Sequence, residues 1–149
     1  MLRDAVACGA VAVPESEAHR VESAPRPDLG LLELLRSLSG GLRLPHVAGP
    51  VERENERRLA LTVTREFPER AGRPGDAVDL RALAFALPRC GLVTCDAFMA
   101  DVVRRTRLDV RFGCELFTGR RRDVARLTAR LRALMAGAPG AYTRLGGPE

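Results

Sequence analysis

Apolar positions along the chain follow two different spacings. Short, mainly apolar segments at 10–13, 92–95 and 114–118 are typical of short buried strands. Other stretches repeat apolar residues every three or four positions, which predicts helices. These helices are expected at 2–8, 17–23, 51–66 and 123–135, with three more that begin at Asp28, Asp76 and Asp96. Because short strands alternate with helices, we predict an α/β fold with a short, mainly parallel sheet.

Capping and helix-breaking residues mark where these helices begin and end. Ser16, Asp28 and Asp96 are suited to cap the helices that follow them. Pro50 suits a first helical position, and Pro88 stops the helix that begins at Asp76. The sequence therefore predicts both the order and the approximate bounds of the helices.

The length and composition favour one soluble domain. A chain of 149 residues is typical of a single domain, and we expect it to cover residues 1–136. The Gly- and Pro-rich residues 137–149 are expected to form a flexible tail. No apolar run reaches the roughly 18 residues that span a bilayer, and no signal peptide is recognisable. A cytoplasmic protein without membrane contact is therefore expected.

The cysteines and the charge balance narrow the choice of function. The four cysteines lack the close C-x2-C spacing of a zinc site and lie beside apolar runs, so buried thiols are expected. The 24 basic and 19 acidic residues give a net charge of +5, which suggests an anionic partner. All the basic residues are Arg, however, and this skew resembles a high-GC coding bias. The few aromatic residues disfavour domains that bind single strands by stacking bases.

Three segments, in the same order, resemble parts of PIN domains. Residues 79–88 followed by 92–99 resemble the late PIN segment in which an aspartate opens a helix and a strand ends in Thr and Asp. Residues 11–22 (VAVPESEAHRVE) and 107–118 (RLDVRFGCELFT) resemble the second-strand segment and the final turn of one bacterial PIN-like subgroup. The resemblance touches roughly residues 2–135.

This resemblance implies a three-layer α/β/α fold and a metal-dependent ribonuclease, in many cases the toxin of a toxin–antitoxin pair. PIN domains hold Mg²⁺ or Mn²⁺ with several carboxylates, which suits hard cations that prefer oxygen ligands. The metal activates a water molecule for phosphodiester hydrolysis. Carried over residue by residue, the resemblance makes Glu22, Asp79 and Asp96 the metal ligands and catalytic residues.

Other residues are candidates for substrate binding. His19 precedes Glu22 by three positions on the same helical face, and Thr94 ends the strand before Asp96. Arg104 and Arg105 belong to a basic cluster that suits an RNA backbone. RNA, an antitoxin-like protein and a second copy of the chain are the partners expected.

The chain departs from the PIN pattern in two places. The first catalytic aspartate of the family lies in an N-terminal strand, and Met1 is expected to fall beyond it, so that the sheet is incomplete at the N-terminus. Gly91 stands where the subgroup has an aspartate. A nuclease and a non-catalytic PIN-like remnant that binds RNA or protein both remain open. A helical DNA-binding domain would need a helix-turn-helix pair that these Pro-interrupted segments do not show.

Each candidate acid also has an ordinary structural explanation. Asp79 suits the first turn of a helix, where an acid stabilises the helix dipole. Asp96 suits an N-cap, and Glu22 suits a solvated helix face. Four leucines between Asp28 and Gly40 are expected to face the core, with a partner protein as the alternative; these are Leu31, Leu32, Leu35 and Leu38.

Overall fold

The computed structural model describes residues 1–137, which form eight α-helices, two short strands and two 3-10 turns. The N-terminal helices are α1 (Leu2–Ala7), α2 (Glu17–Ser23) and α3 (Leu31–Ser39), and the longer α4 (Pro50–Glu66) and α5 (Pro74–Ala86) follow. The remaining elements, in chain order, are β1 (Leu92–Thr94), α6 (Ala97–Thr106), α7 (Leu108–Phe112), β2 (Glu115–Phe117) and α8 (Arg121–Gly137). The 3-10 turns are Pro27–Leu29 and Pro68–Arg70.

The two strands form a parallel sheet. Leu92 pairs with Glu115 and Thr94 pairs with Phe117, and α6 and α7 make the crossover between the strands. The mixed α/β class with parallel pairing is therefore confirmed, although helix predominates. The strand predicted at 10–13 is wrong: these residues form no regular strand, and Glu15 makes only an isolated parallel bridge with Arg43. A run of strand-forming residues becomes a strand only where a neighbouring backbone pairs with it.

Side-chain capping explains the starts of α2 and α6. The Ser16 hydroxyl accepts a hydrogen bond from the His19 backbone N–H at 3.2 Å, as predicted for the cap of α2. Asp96 caps α6 in the same way. The predicted starts at Asp28 and Asp76 are wrong, because Asp28 lies in a 3-10 turn and α5 already begins at Pro74. A proline at the first position fixes φ before the acid is reached, which leaves Asp76 free for another partner.

The core lies between α4, α5, α6 and the strands. Leu59 of α4, Leu83 of α5, Val93 of β1 and Val102 of α6 are among its buried side chains. The α3 leucines do not belong to it, so the expectation that they face the core is wrong; Leu31 is 39% exposed, and Leu32, Leu35 and Leu38 are only half-buried. Their helix packs on the small helix α2, which cannot cover so wide an apolar face.

The last helix packs against the first helix and the second strand. α8 contacts α1 and β2 and begins two residues earlier than predicted. Leu131 is buried as expected, but Val124 is 50% exposed, so the predicted inward face is partly wrong. Gly137 ends this helix and does not belong to the predicted tail, whose other residues, 138–149, lie outside the described part. Within residues 1–137, no helix is both long and apolar enough to cross a membrane.

Candidate acidic site

The three predicted metal ligands come from three different elements. Glu22 lies in the last turn of α2, Asp79 lies in the second turn of α5, and Asp96 follows β1. Glu22 and Asp96 are exposed, whereas Asp79 is half-buried. Because α2 packs against α5, the ends of these elements face one region of the surface.

The pKa of Asp79 responds to the charges of the other two carboxylates. Burial raises the pKa of Asp79 above its ordinary value, and the negative charges of Glu22, Asp96 and Asp76, in that order, raise it further. The positive charge of Arg70 acts in the opposite direction. Charge interactions weaken with distance, so the tertiary structure has brought Glu22 and Asp96 near Asp79. We call Glu22, Asp76, Asp79 and Asp96 the acidic site.

Arg70 is the cation of this site, and sequence reasoning missed it. Its guanidinium donates two hydrogen bonds to the carboxylate of Asp76, at 3.0 and 2.7 Å. The same guanidinium stacks over the Phe98 ring, 3.7 Å from the ring centroid. The hydrogen bonds from Arg70 to Asp76 raise the pKa of Arg70. The sequence did contain a signal that Asp76 belongs to this site, because Asp76 and Asp79 are three residues apart and therefore share a helical face.

Asp96 combines capping with a free oxygen. Its Oδ1 accepts a hydrogen bond from the Met99 backbone N–H at 2.7 Å, which is the capping contact expected from the sequence. The second carboxylate oxygen remains for solvent or a ligand. Thr94 is exposed at the end of β1, two residues before Asp96. The intervening Cys95 is a poor nucleophile, since burial and then the charge of Asp96 raise the pKa of its thiol to about 11.

The other predicted substrate-binding residues have structural contacts of their own. His19 completes a capping box, in which its Nδ1 accepts a hydrogen bond from the Ser16 backbone N–H at 3.4 Å. Arg105 bonds Asp101 at 3.1 Å and also bonds Glu66. Arg104 is exposed on the same helix and lowers the pKa of Cys95, so its charge reaches the end of β1. Of these residues, Arg104 is the one best placed to approach a ligand at the acidic site.

The donor set decides how a metal ion would be held. Within the described residues, no group of three or more His, Cys, Asp or Glu side chains lies close enough to hold one ion. Mg²⁺ is usually bound by one or two carboxylates and otherwise by water and phosphate oxygens. Asp79 and Asp96 are compatible with that kind of site, since added positive charge would relieve the repulsion that raises the pKa of Asp79.

Comparisons with known proteins give no relative from which a function can be transferred. No family model matches the chain, and neither the curated proteins nor the solved structures include a match.

Proposed function

We propose that this chain is a PIN-like domain of the metal-dependent ribonuclease type, with Mg²⁺ or Mn²⁺ bound by Asp79, Asp96 and water molecules, and with Glu22 adding negative charge beside them. The observation that supports this most strongly is that the charges of Glu22 and Asp96 raise the pKa of Asp79. The three carboxylates were chosen by resemblance to a motif, they lie far apart in sequence, and two of them are the first charged neighbours that raise the pKa of Asp79. Such convergence of acids is common at functional sites.

The proposal includes a three-layer α/β/α arrangement. The parallel pair of β1 and β2 supports it, as does the division of the helices into two groups. α1 and α8 pack on each other and α8 packs on β2, whereas α4, α5 and α6 pack together. In parallel α/β sheets, ligands bind beyond the carboxyl ends of the strands. Asp96 follows β1 directly, which agrees with that rule.

The chain's own residues would orient the substrate. A bound divalent cation supplies an activated water molecule and offsets the charge of the scissile phosphate. Asp96 is held in place by its capping bond, so its free oxygen has a defined direction. The guanidinium of Arg104 is placed to attract the phosphate backbone of RNA toward the end of β1.

The second candidate is a non-catalytic PIN-like domain that binds RNA or an antitoxin-like protein. Two observations favour it over the nuclease. No group of three metal-binding side chains is close enough to share an ion within residues 1–137. Arg70 already neutralises Asp76, which leaves the acidic site less negative than the count of its carboxylates suggests. The distinction is therefore whether the site binds metal with Arg70 in place.

Metal titration tests the proposal. MnCl₂ is titrated by isothermal calorimetry into the parent chain and into the double variant Asp79→Asn, Asp96→Asn. Asparagine keeps the helix cap at position 96 while removing the charge. The matched control is Asp28→Asn, Glu33→Gln, which removes the same charge from exposed positions outside the acidic site.

We expect binding in the parent and the control and its loss in the double variant. Cleavage of a labelled single-stranded RNA in Mn²⁺ then follows the same order. Absence of heat in a parent whose circular dichroism shows a folded chain contradicts the metal site and supports the non-catalytic domain. Metal binding without RNA cleavage would support the metal site but contradict the nuclease.

A further inference from the structure

A groove of about 500 Å³ lies between several elements of the fold. Leu92 and Thr94 of β1 form one part of its lining, and Val11, Ala12 and Val13 form another. Apolar side chains from α8 and from the segment after α3 line the rest of the groove; these are Leu127, Leu131, Leu134, Leu42 and Leu44. We call this space the strand groove.

β1 presents unpaired backbone groups to the strand groove. The Glu115 N–H donates to the Gly91 carbonyl at 2.8 Å, and the Cys95 N–H donates to the Phe117 carbonyl at 3.0 Å. In a parallel ladder, alternate residues point their N–H and C=O toward the same neighbour. The backbone groups of Leu92 and Thr94 therefore point away from β2. Within residues 1–137, β1 pairs with no other strand.

Residues 12–13, which also line the strand groove, have unpaired backbone groups as well. No backbone–backbone hydrogen bond within the described residues involves Ala12 or Val13. Glu15, just beyond them, bonds the segment after α3 in a parallel bridge. β1 and residues 12–13 thus bring to one apolar groove backbone groups that no backbone among residues 1–137 pairs with, and unpaired backbone groups in such a setting are unfavourable.

We propose that the strand groove binds an extended, uncharged apolar peptide segment of a partner protein as a strand that pairs with the open edge of β1. Addition of a strand to an open sheet edge is a common mode of peptide recognition. A bound helix pairs its own N–H and C=O groups internally, so it would leave the backbone groups of Leu92 and Thr94 unpaired. β1 spans three residues, or about 10 Å, so a segment of four or five residues fills its length.

The charges around the strand groove specify an uncharged occupant. Arg130 pairs with Glu115 at 2.7 Å, and Arg89 pairs with Glu52 at 2.6 Å. These are the charged residues of its lining, together with their partners, so their charges are already balanced within the chain.

Peptide binding to the full chain tests this inference. The probe is a fluorescein-labelled peptide of five alternating valines and threonines with a lysine at each end, followed by anisotropy in EDTA. The matched control peptide is N-methylated at alternate residues, which removes hydrogen-bond donors but keeps the apolar surface. We expect micromolar binding of the first peptide and about tenfold or weaker binding of the second. Equal affinity for both peptides, or no binding of either, overturns the inference.

Variants of the chain locate the binding. Val11→Arg places a charge in the strand groove and is expected to abolish binding, whereas Val47→Arg, at a position 72% exposed, leaves it unchanged. Circular dichroism checks that both variants fold. If Val11→Arg does not fold, the comparison of the two peptides on the parent chain still decides the test. Sedimentation without peptide tests the other occupant. If the parent chain is a dimer that Val11→Arg dissociates, and if the chain does not bind the peptide, the groove binds a second copy. That result overturns the inference. EDTA makes the result independent of the acidic site.

Discussion

Glu52 and Arg89 join the start of α4 to the end of α5 through an ion pair of 2.6 Å. Glu52 is only 5% exposed and also accepts a hydrogen bond from the Gly49 backbone N–H at 2.7 Å. Arg89 also donates to the Phe85 carbonyl at 3.1 Å. A single pair thus closes two helix ends, and it fixes the helix that carries Asp79.

Removing the charge of Glu52 will destabilise the fold. Glu52→Gln can still accept the bond from the Gly49 N–H but loses the ion pair with Arg89, and we expect a loss of about 2 kcal/mol in the free energy of unfolding at pH 7. Urea denaturation measures it. Glu54→Gln is the control, because Glu54 pairs with Arg57 on the exposed side of the same helix and should change stability by less than about 0.5 kcal/mol. Equal effects at both positions would contradict the role of Glu52.

The same pair makes stability depend on pH. Burial by itself raises the pKa of Glu52, but the hydrogen bond from Arg89 and those from the backbone outweigh it, so its pKa lies below the ordinary 4.5. The stabilisation is therefore complete above pH 4.5 and is lost as the pH falls through the lower folded value. The stability difference between the parent and Glu52→Gln should accordingly shrink in acid. A difference that stays constant down to acid unfolding would contradict this sign.

Asn55 compensates for a hydrogen bond that Pro88 removes. The Ala84 carbonyl would bond the backbone N–H of residue 88 in a continuing helix, but proline has none, and Asn55 Nδ2 donates to this carbonyl at 3.3 Å instead. Asn55→Ala should cost about 2 kcal/mol because it leaves a buried carbonyl unpaired. In a Pro88→Ala background, where an N–H is restored, the same change should cost about 1 kcal/mol less. Additive costs in this double-mutant cycle would exclude the compensation.

Asp79 opposes the stability of the fold while serving the acidic site. Its raised pKa means that the charged form is disfavoured in the folded state, so Asp79 destabilises the protein at neutral pH. Asp79→Asn should therefore raise stability at pH 7 by about 0.5 kcal/mol. The gain should vanish below the ordinary pKa of 3.8, where the carboxyl is neutral in both states. Thermal unfolding at pH 7 and pH 3 measures both effects, and a destabilised variant at pH 7 would refute the repulsion.

Arg70 and the proposed metal ion would compete for the acidic site. Its guanidinium bonds Asp76 and lowers the pKa of Asp79, so its removal leaves the carboxylates more negative. Arg70→Met should tighten Mn²⁺ binding about tenfold in calorimetry and lower the thermal midpoint. Arg73→Met, at an exposed position three residues along, should do neither. Weaker metal binding in Arg70→Met would instead show that Arg70 orders the site.

The thiols should differ sharply in reactivity. Burial raises the pKa of Cys95 to about 11 and that of Cys114 to about 12, and burial also raises the pKa of Cys90. Cys8 is exposed, which corrects the expectation of four buried thiols. Iodoacetamide at pH 7.5 should therefore modify Cys8 first, with the others reacting only after unfolding. Mass spectrometry of the native chain would disprove this by finding early modification at Cys95 or Cys114.

Local signals in the sequence predicted the helices well. Ser16 and Asp96 cap the helices that they were expected to cap, because an N-cap depends on one side chain and a backbone N–H three residues away. Gly40 ends α3 with a φ of 55°, a conformation that glycine adopts without strain. The strands at 92–94 and 115–117 were also anticipated, since short apolar runs between helices leave few alternatives.

Only the tertiary structure decided which residues meet. Residues 10–13 have the composition of a strand, yet no strand within residues 1–137 pairs with them and they stay irregular. The same dependence on distant partners explains Arg70, whose role rests on Asp76 and on the Phe98 ring from another helix. The sequence alone named Glu22, Asp79 and Asp96 by resemblance. The effect of Glu22 and Asp96 on the pKa of Asp79 depends on the distances between these side chains. A linear pattern of apolar and polar residues does not encode such distances.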